Sequence, residues 1–160
     1  MRYEGLLKEA VSLGVYVLEK PLKGRIKGLY SDNVILISKN LTSDIEKYCV
    51  LAEELGHHHT TDGDILDQTS VDNRKQELRA RSWAYERAVP LKKIVEAHKE
   101  SIRNKYELAD FLGVTEAFLE EALVRYQDKY GETTNYEGFT ICFNPLGVIE
   151  WFDDSYCKIF

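Results

Sequence analysis

The spacing of apolar positions changes along the chain, and each change marks an element. Leu6, Leu7, Ala10, Val11 and Leu13 fit one face of a short helix that stops at Gly14. A strand-like run at 15–18 follows, cut off by Pro21 and by the glycines at 24 and 28. Residues 28–33 predict a turn feeding a buried strand at 34–38, and the two strand segments are expected to pair as neighbours in a small sheet. The next helix is announced by Ser43 and Glu46 at capping-box spacing, with Leu41 just upstream. Ile45, Tyr48, Cys49, Ala52 and Leu55 make its apolar stripe, and Glu46, Val50, Glu53 and His57 run along the flank.

Residues 60–70 are polar and acidic and predict a loop. A helix is expected from about Asp72, as N-cap, to Val89 before Pro90. On it Glu77, Ala80, Ala84 and Ala88 form a narrow line whose small side chains allow another element to come close. A short helix at 91–99 follows. Residues 106–112, 113–115 and 116–130 have helix-turn-helix spacing, with Leu108, Ala109, Leu112, Val114, Phe118, Leu119 and Leu123 as the core set. The period then shortens, and residues 138–143 and 148–152 around Asn144-Pro145-Leu146-Gly147 predict a terminal β-hairpin. The expected class is α+β: a mainly helical domain over 1–100 with a small sheet. A helix-turn-helix-like segment and a C-terminal β-hairpin over 101–160 pack on it without forming an independent domain.

Composition narrows the function. The chain has 160 residues, 44% hydrophobic and 30% charged, which suits one globular domain. A net charge of -6 argues against a large nucleic-acid surface. The second helix of the helix-turn-helix segment repeats that argument, offering Glu116, Glu120 and Glu121 against Arg125 where a DNA reader needs basic and amide side chains. That segment is expected to pack on the first domain or to dock a protein partner, with Tyr126, Tyr130 and Tyr136 at its rim. No apolar run is long enough to span a bilayer, and residues 1–7 lack the apolar core of a signal peptide. Cys49, Cys142 and Cys157 are odd in number and widely spaced, which predicts reduced thiols in a cytoplasmic protein.

The chemistry concentrates in Leu51-Ala52-Glu53-Glu54-Leu55-Gly56-His57-His58-His59. It has the shape of the zinc-peptidase signature H-E-x-x-H with glutamate in the first histidine's place. Glu53 and His57, four apart on the helix, can reach one metal ion together. Glu54 and His58 are also four apart, but on a face turned away from the apolar stripe. A catalytic zinc takes three protein ligands and keeps one position open, and Glu77 is the best third candidate. Competing readings use the same residues. The string also arises by chance on exposed helices, the three histidines suit a solvated helix end, and Glu77 can pair with Arg81 four residues on. Asp62, Asp64 and Asp67 do not match an EF-hand calcium loop.

Several ordered segments resemble the ImmA/IrrE family of metallopeptidases, in the branch carried by prophages and integrative elements. They are Lys47 through His58 of the signature helix, Lys27-Gly28-Leu29-Tyr30-Ser31-Asp32, and Glu77-Leu78-Arg79-Ala80-Arg81-Ser82-Trp83-Ala84 closing at Val89-Pro90. Arg103 through Ala109 and Asn144-Pro145-Leu146-Gly147 extend the resemblance over nearly the whole chain. It implies a zincin-like domain, zinc or another divalent metal held by His57 and Glu77, and Glu54 as general base. It places the first ligand on Glu53, where the sequence departs from the histidine form. A carboxylate is a harder ligand than imidazole and adds negative charge, which favours manganese more than the usual set does. The resemblance also implies a helix-turn-helix repressor protein as substrate, cleaved to relieve repression. The alternative, prompted by Glu53, is a non-catalytic binding protein of the same fold.

Overall fold

The computed structural model describes residues 2–61 and 70–151, so Asp62, Asp64, Asp67 and Cys157 lie outside the described residues. Helix α1 (Arg2–Ser12) buries Tyr3, Leu6 and Ala10 and ends before Gly14, whose φ of 76° is the left-handed conformation glycine adopts cheaply. Strands β1 (Tyr16–Lys20), β2 (Gly28–Ser31) and β3 (Val34–Ser38) form a sheet in the order β1-β3-β2. The expected pairing of the first and last of these is present and parallel, with Leu18 opposite Leu36. Residues 28–31, read from sequence as part of a turn, are instead a strand antiparallel to β3. The turn itself is Asp32-Asn33, both with positive φ, the geometry that suits a two-residue hairpin.

Helix α2 (Asp44–Thr60) starts with the expected reciprocal capping box: the Glu46 amide donates to Ser43 Oγ, and the Ser43 amide to the Glu46 carboxylate. The sheet and α1 lie against α2, and so does α3 (Ser70–Ala88). Hence α2 buries Val50, Leu51 and Gly56 as well as Tyr48, Cys49, Ala52 and Leu55, while Ile45 is exposed near its start. One apolar stripe understates a helix with neighbours on several sides. The start of α3 also differs from expectation, because Asp72 sits in its first turn and is not its N-cap.

The alanine line on α3 behaves as its spacing predicts. Ala80, Ala84 and Ala88 are buried, and a Cβ on Gly56 would lie 2.2 Å from the Ala80 carbonyl oxygen. Gly56 and Ala80 thus let α2 and α3 touch backbone to backbone.

Helices α4 (Leu91–Lys99), α5 (Lys105–Leu112) and α6 (Glu116–Tyr130) follow. Gly113, in the left-handed region, closes α5, and Thr115 caps α6. All of Leu108, Ala109, Leu112, Val114, Phe118, Leu119 and Leu123 are buried, in one core continuous with that of the first hundred residues. Tyr126, expected at the rim, is buried too. Its hydroxyl donates to the carbonyls of Tyr85 and Val89, tying α6 to the end of α3. The terminal hairpin, β5 (Phe139–Phe143) and β6 (Leu146–Glu150), is present. It is joined by a third strand, β4 (Thr133–Tyr136), to make an antiparallel sheet in the order β4-β5-β6. No helix among the described residues is long and apolar enough to cross a membrane.

Candidate metal centre

The close contact of α2 and α3 brings two of the expected ligands together. His57 Nε2 lies 3.2 Å from Glu77 Oε2. Two atoms held about 2 Å from one tetrahedral ion are about 3.3 Å apart, so this pair has the spacing of two zinc ligands. The neighbouring histidines are held elsewhere. His58 Nδ1 and the Tyr30 hydroxyl of β2 are 3.0 Å apart, and the His59 ring stacks on Trp83 at 4.5 Å between centroids. The histidine run is thus partly packed, with His57 and His58 half-buried and His59 exposed at the helix end.

Glu53, Glu54 and Glu77 line a cleft of about 480 Å³. Arg25, Lys27 and Gly28 approach from one side, Arg81 from α3, and Thr115, Phe118 and Glu121 from the α5–α6 turn and α6. The helix-turn-helix segment thus supplies part of the wall of this cleft. The basic residue on its second helix, Arg125, donates from Nε to Ser82 Oγ at 2.7 Å, so it is engaged with α3. Cys49 lies at the base of the cleft, and burial pushes its thiol up to about 11, which leaves it protonated and inert at neutral pH.

Burial is also the main influence on the two adjacent glutamates. It raises the Glu53 carboxyl to about 7; Glu121 and Glu77 push in the same direction, while Arg81 and Lys27 oppose them. Burial raises Glu54 to about 7 as well, reinforced by the charges of Glu53 and Glu77. A carboxyl that titrates near neutrality is well matched to general-base work. Gly28 leaves room for Glu54: an added Cβ would come within 2.8 Å of Glu54 Oε1.

The pH dependence has a definite sign. Both carboxyls have folded values above the ordinary 4.5, so their stabilising contribution in the metal-free protein is full below about 4.5 and lost as pH rises through about 7. Each carboxyl alone corresponds to about 3 kcal/mol, and the two together to less than twice that, because part of the Glu54 rise comes from the Glu53 charge. Chemical denaturation of metal-stripped protein at pH 5 and pH 8, beside the Glu53→Gln/Glu54→Gln double variant, measures it. A wild-type slope no steeper than the variant's removes the effect.

The full ligand set is less complete than the pair. Among the described residues no three histidine, cysteine, aspartate or glutamate side chains form a group able to hold a metal ion. His57 and Glu77 fit such an ion, whereas Glu53 does not join them as a third donor, and Glu77 Oε1 accepts a hydrogen bond from Arg81 Nε at 3.0 Å. The ion-pair reading of Glu77 is thus realised on Oε1, while Oε2 faces His57. Sequence reasoning identified Glu53, Glu54, His57 and Glu77 but did not use Gly28, Gly56 or Glu121. The glycines were legible as small residues inside elements, while Glu121 counted only as a charge unfavourable to DNA.

A helix pair carrying a variant zinc-peptidase signature, set against a small sheet, defines a metallopeptidase-like protein. The chain belongs to the peptidase family of the IrrE N-terminal-like domain, which it matches over residues 10–124, a span that contains every residue of the cleft. No curated protein and no solved structure matches it.

Proposed function

We propose that the protein is a cytoplasmic, prophage-type metallopeptidase that cleaves a helix-turn-helix repressor protein. The observation that carries the reading is the His57–Glu77 approach at 3.2 Å, with Glu54 in the adjoining cleft. His57 and Glu77 would hold a divalent ion, zinc in the first instance; Glu53, the third donor that the family resemblance implies, is not gathered with them here. Such an ion, when bound, polarises the scissile carbonyl as a Lewis acid. Glu54 takes a proton from the attacking water onto its carboxylate and delivers it to the departing amine nitrogen, so it ends the cycle as it began. The absence of a side chain at Gly28 leaves the Glu54 carboxylate the room it occupies. The repressor as substrate follows from family resemblance.

The test is incubation of the metal-loaded protein with purified helix-turn-helix repressors of prophage type, read by mass spectrometry. Site-specific fragments are expected. Stoichiometric binding without fragments, with zinc or with manganese, favours the second reading, a non-catalytic binding protein. The observation behind that alternative is the Arg81–Glu77 bond, which engages one of the ligand oxygens.

The Glu53 position gives a further expected result. Glu53→His restores H-E-x-x-H and is expected to tighten zinc binding, because imidazole suits zinc better than a third oxygen donor. Glu53→Ala is expected to weaken it. A calorimetric titration of the three proteins in one buffer decides the matter. Equal affinities remove Glu53 from the ligand set.

A further inference from the structure

We propose that the loop between β1 and β2, residues 21–27 with Lys20 before it, is the part of the cleft that chooses a ligand, and that the ligand is a polypeptide segment carrying acidic side chains. This deepens the peptidase reading above, and it rests on that reading only in taking the segment for the substrate.

The loop is an island of positive charge in an acidic protein. Lys20, Lys23, Arg25 and Lys27 fall within eight residues that hold no carboxylate, in a chain whose net charge is -6. All four are exposed, and among the described residues none of them is in an ion pair. Cations elsewhere are engaged: Lys47 pairs with Glu19, Arg81 with Glu77 and Arg87 with Glu9. The loop also has a fixed frame. Its ends are pinned at the end of β3, where the Ser38 amide donates to the Lys27 carbonyl at 2.8 Å and the Lys39 amide to the Lys20 carbonyl at 3.0 Å. Between them the chain turns at Gly24, whose φ is 65°.

Position turns this charge into selectivity. Arg25 and Lys27 line the wall of the cleft that holds Glu53, Glu54 and Glu77. A polypeptide lying in the cleft passes them, and a carboxylate on it at that point meets two cations that have no ion pair of their own. A neutral side chain there gains nothing, and a basic one is repelled. Positive charge by itself also suits a nucleic acid, but two features favour a polypeptide. Ile26 and Leu29, each 45% exposed, place aliphatic surface among the cations, where base stacking calls for rings. The glutamates that line the cleft also repel a phosphate chain charged at every unit. A polypeptide can present its acids to the loop and neutral residues to the interior.

The probes are labelled peptides of equal length with one apolar centre flanked by aspartates, by asparagines or by lysines, and an oligothymidylate beside them. Fluorescence anisotropy reads their affinities for metal-stripped wild type, Arg25→Gln/Lys27→Gln and Arg25→Lys/Lys27→Arg. Wild type is expected to bind the aspartate peptide about tenfold more tightly than the asparagine peptide at low salt, with the preference shrinking as salt rises. The glutamine pair is expected to lose that preference, and the charge-conserving pair to keep it within about threefold. Both side chains are exposed, so neither pair of substitutions disturbs the core. Equal or undetectable binding of the aspartate and asparagine peptides by wild type overturns the proposal. So does a preference that survives in the glutamine pair, or an oligothymidylate that binds as tightly as the aspartate peptide. Incubating the same peptides with metal-loaded protein tests the peptidase reading separately: preferential binding without fragments sinks catalysis and leaves the loop's selection of acidic polypeptides standing.

Discussion

Glu54→Gln is expected to lower repressor cleavage by about 10²- to 10⁴-fold while leaving metal binding and partner binding unchanged. The amide keeps the size and shape of the carboxyl, so the close packing beneath Gly28 survives. What it loses is the ability to accept a proton from water and return it to the leaving nitrogen. The selectivity of the effect is the informative part. Glu54 is buried, and its carboxyl titrates near 7, so it contributes both a base and a concealed charge. Neutralising it is expected to make the metal-free fold slightly more stable near pH 8, since the burden of a buried carboxylate disappears. Activity and stability therefore move in opposite directions. Retained cleavage by Glu54→Gln, in the same preparation where Glu77→Ala loses it, would assign the base elsewhere in the cleft.

Gly56→Ala is the second large effect. Alanine at a helix interior normally stabilises by up to about 1 kcal/mol relative to glycine. Gly56 is an interior residue of α2, and no left-handed backbone demands glycine there. Yet a Cβ at this position would lie 2.2 Å from the Ala80 carbonyl oxygen and 2.8 Å from its carbon. Backbone atoms cannot rotate out of the way as a flexible side chain can, so α2 and α3 must separate. A net loss of at least about 2 kcal/mol is expected, lowering the melting temperature by roughly 5 °C. The same separation pulls His57 from Glu77, so metal affinity is expected to fall although no ligand has been altered. Differential scanning calorimetry with a parallel zinc titration reads both. A Gly56→Ala protein that melts at or above the wild-type temperature would mean that the two helices are not in backbone contact.

The helices were legible because each carried its own local signals. Ser43 and Glu46 announced α2, the turn at 113–115 separated α5 from α6, and the alanine spacing on α3 correctly implied a tight helix contact. The strands that escaped notice lacked such signals. β2 begins at a glycine and runs into Asp32-Asn33, a composition shared with turns, and it becomes a strand by pairing with β3. β4 is Thr-Thr-Asn-Tyr, polar and largely exposed, and it is held by its ladder to β5. In both cases the strand itself has little apolar patterning and is held by an apolar neighbour across a two-residue turn, so its own periodicity could not reveal it. Tyr126 was misplaced at the rim for a similar reason, since the two carbonyls that satisfy its hydroxyl come from α3 and the residues just after it.

For the candidate site, the sequence by itself determined the donor types, their spacing within each helix, and the departure at Glu53. Four-residue spacing is a property of any α-helix and needs no tertiary information. The pairing of His57 with Glu77 could only be expected, because it depends on how near two helices come. Gly56 and Ala80 settle that distance. Tertiary structure alone decided that Glu53 and Glu54 are buried enough to titrate near 7, and that the α5–α6 segment walls their cleft. It also decided that the Glu77 carboxylate is shared between His57 and Arg81. Burial and cross-helix contact arise from the whole packed chain, and a carboxylate's charge state and occupancy follow from what surrounds it in space, which linear spacing does not record.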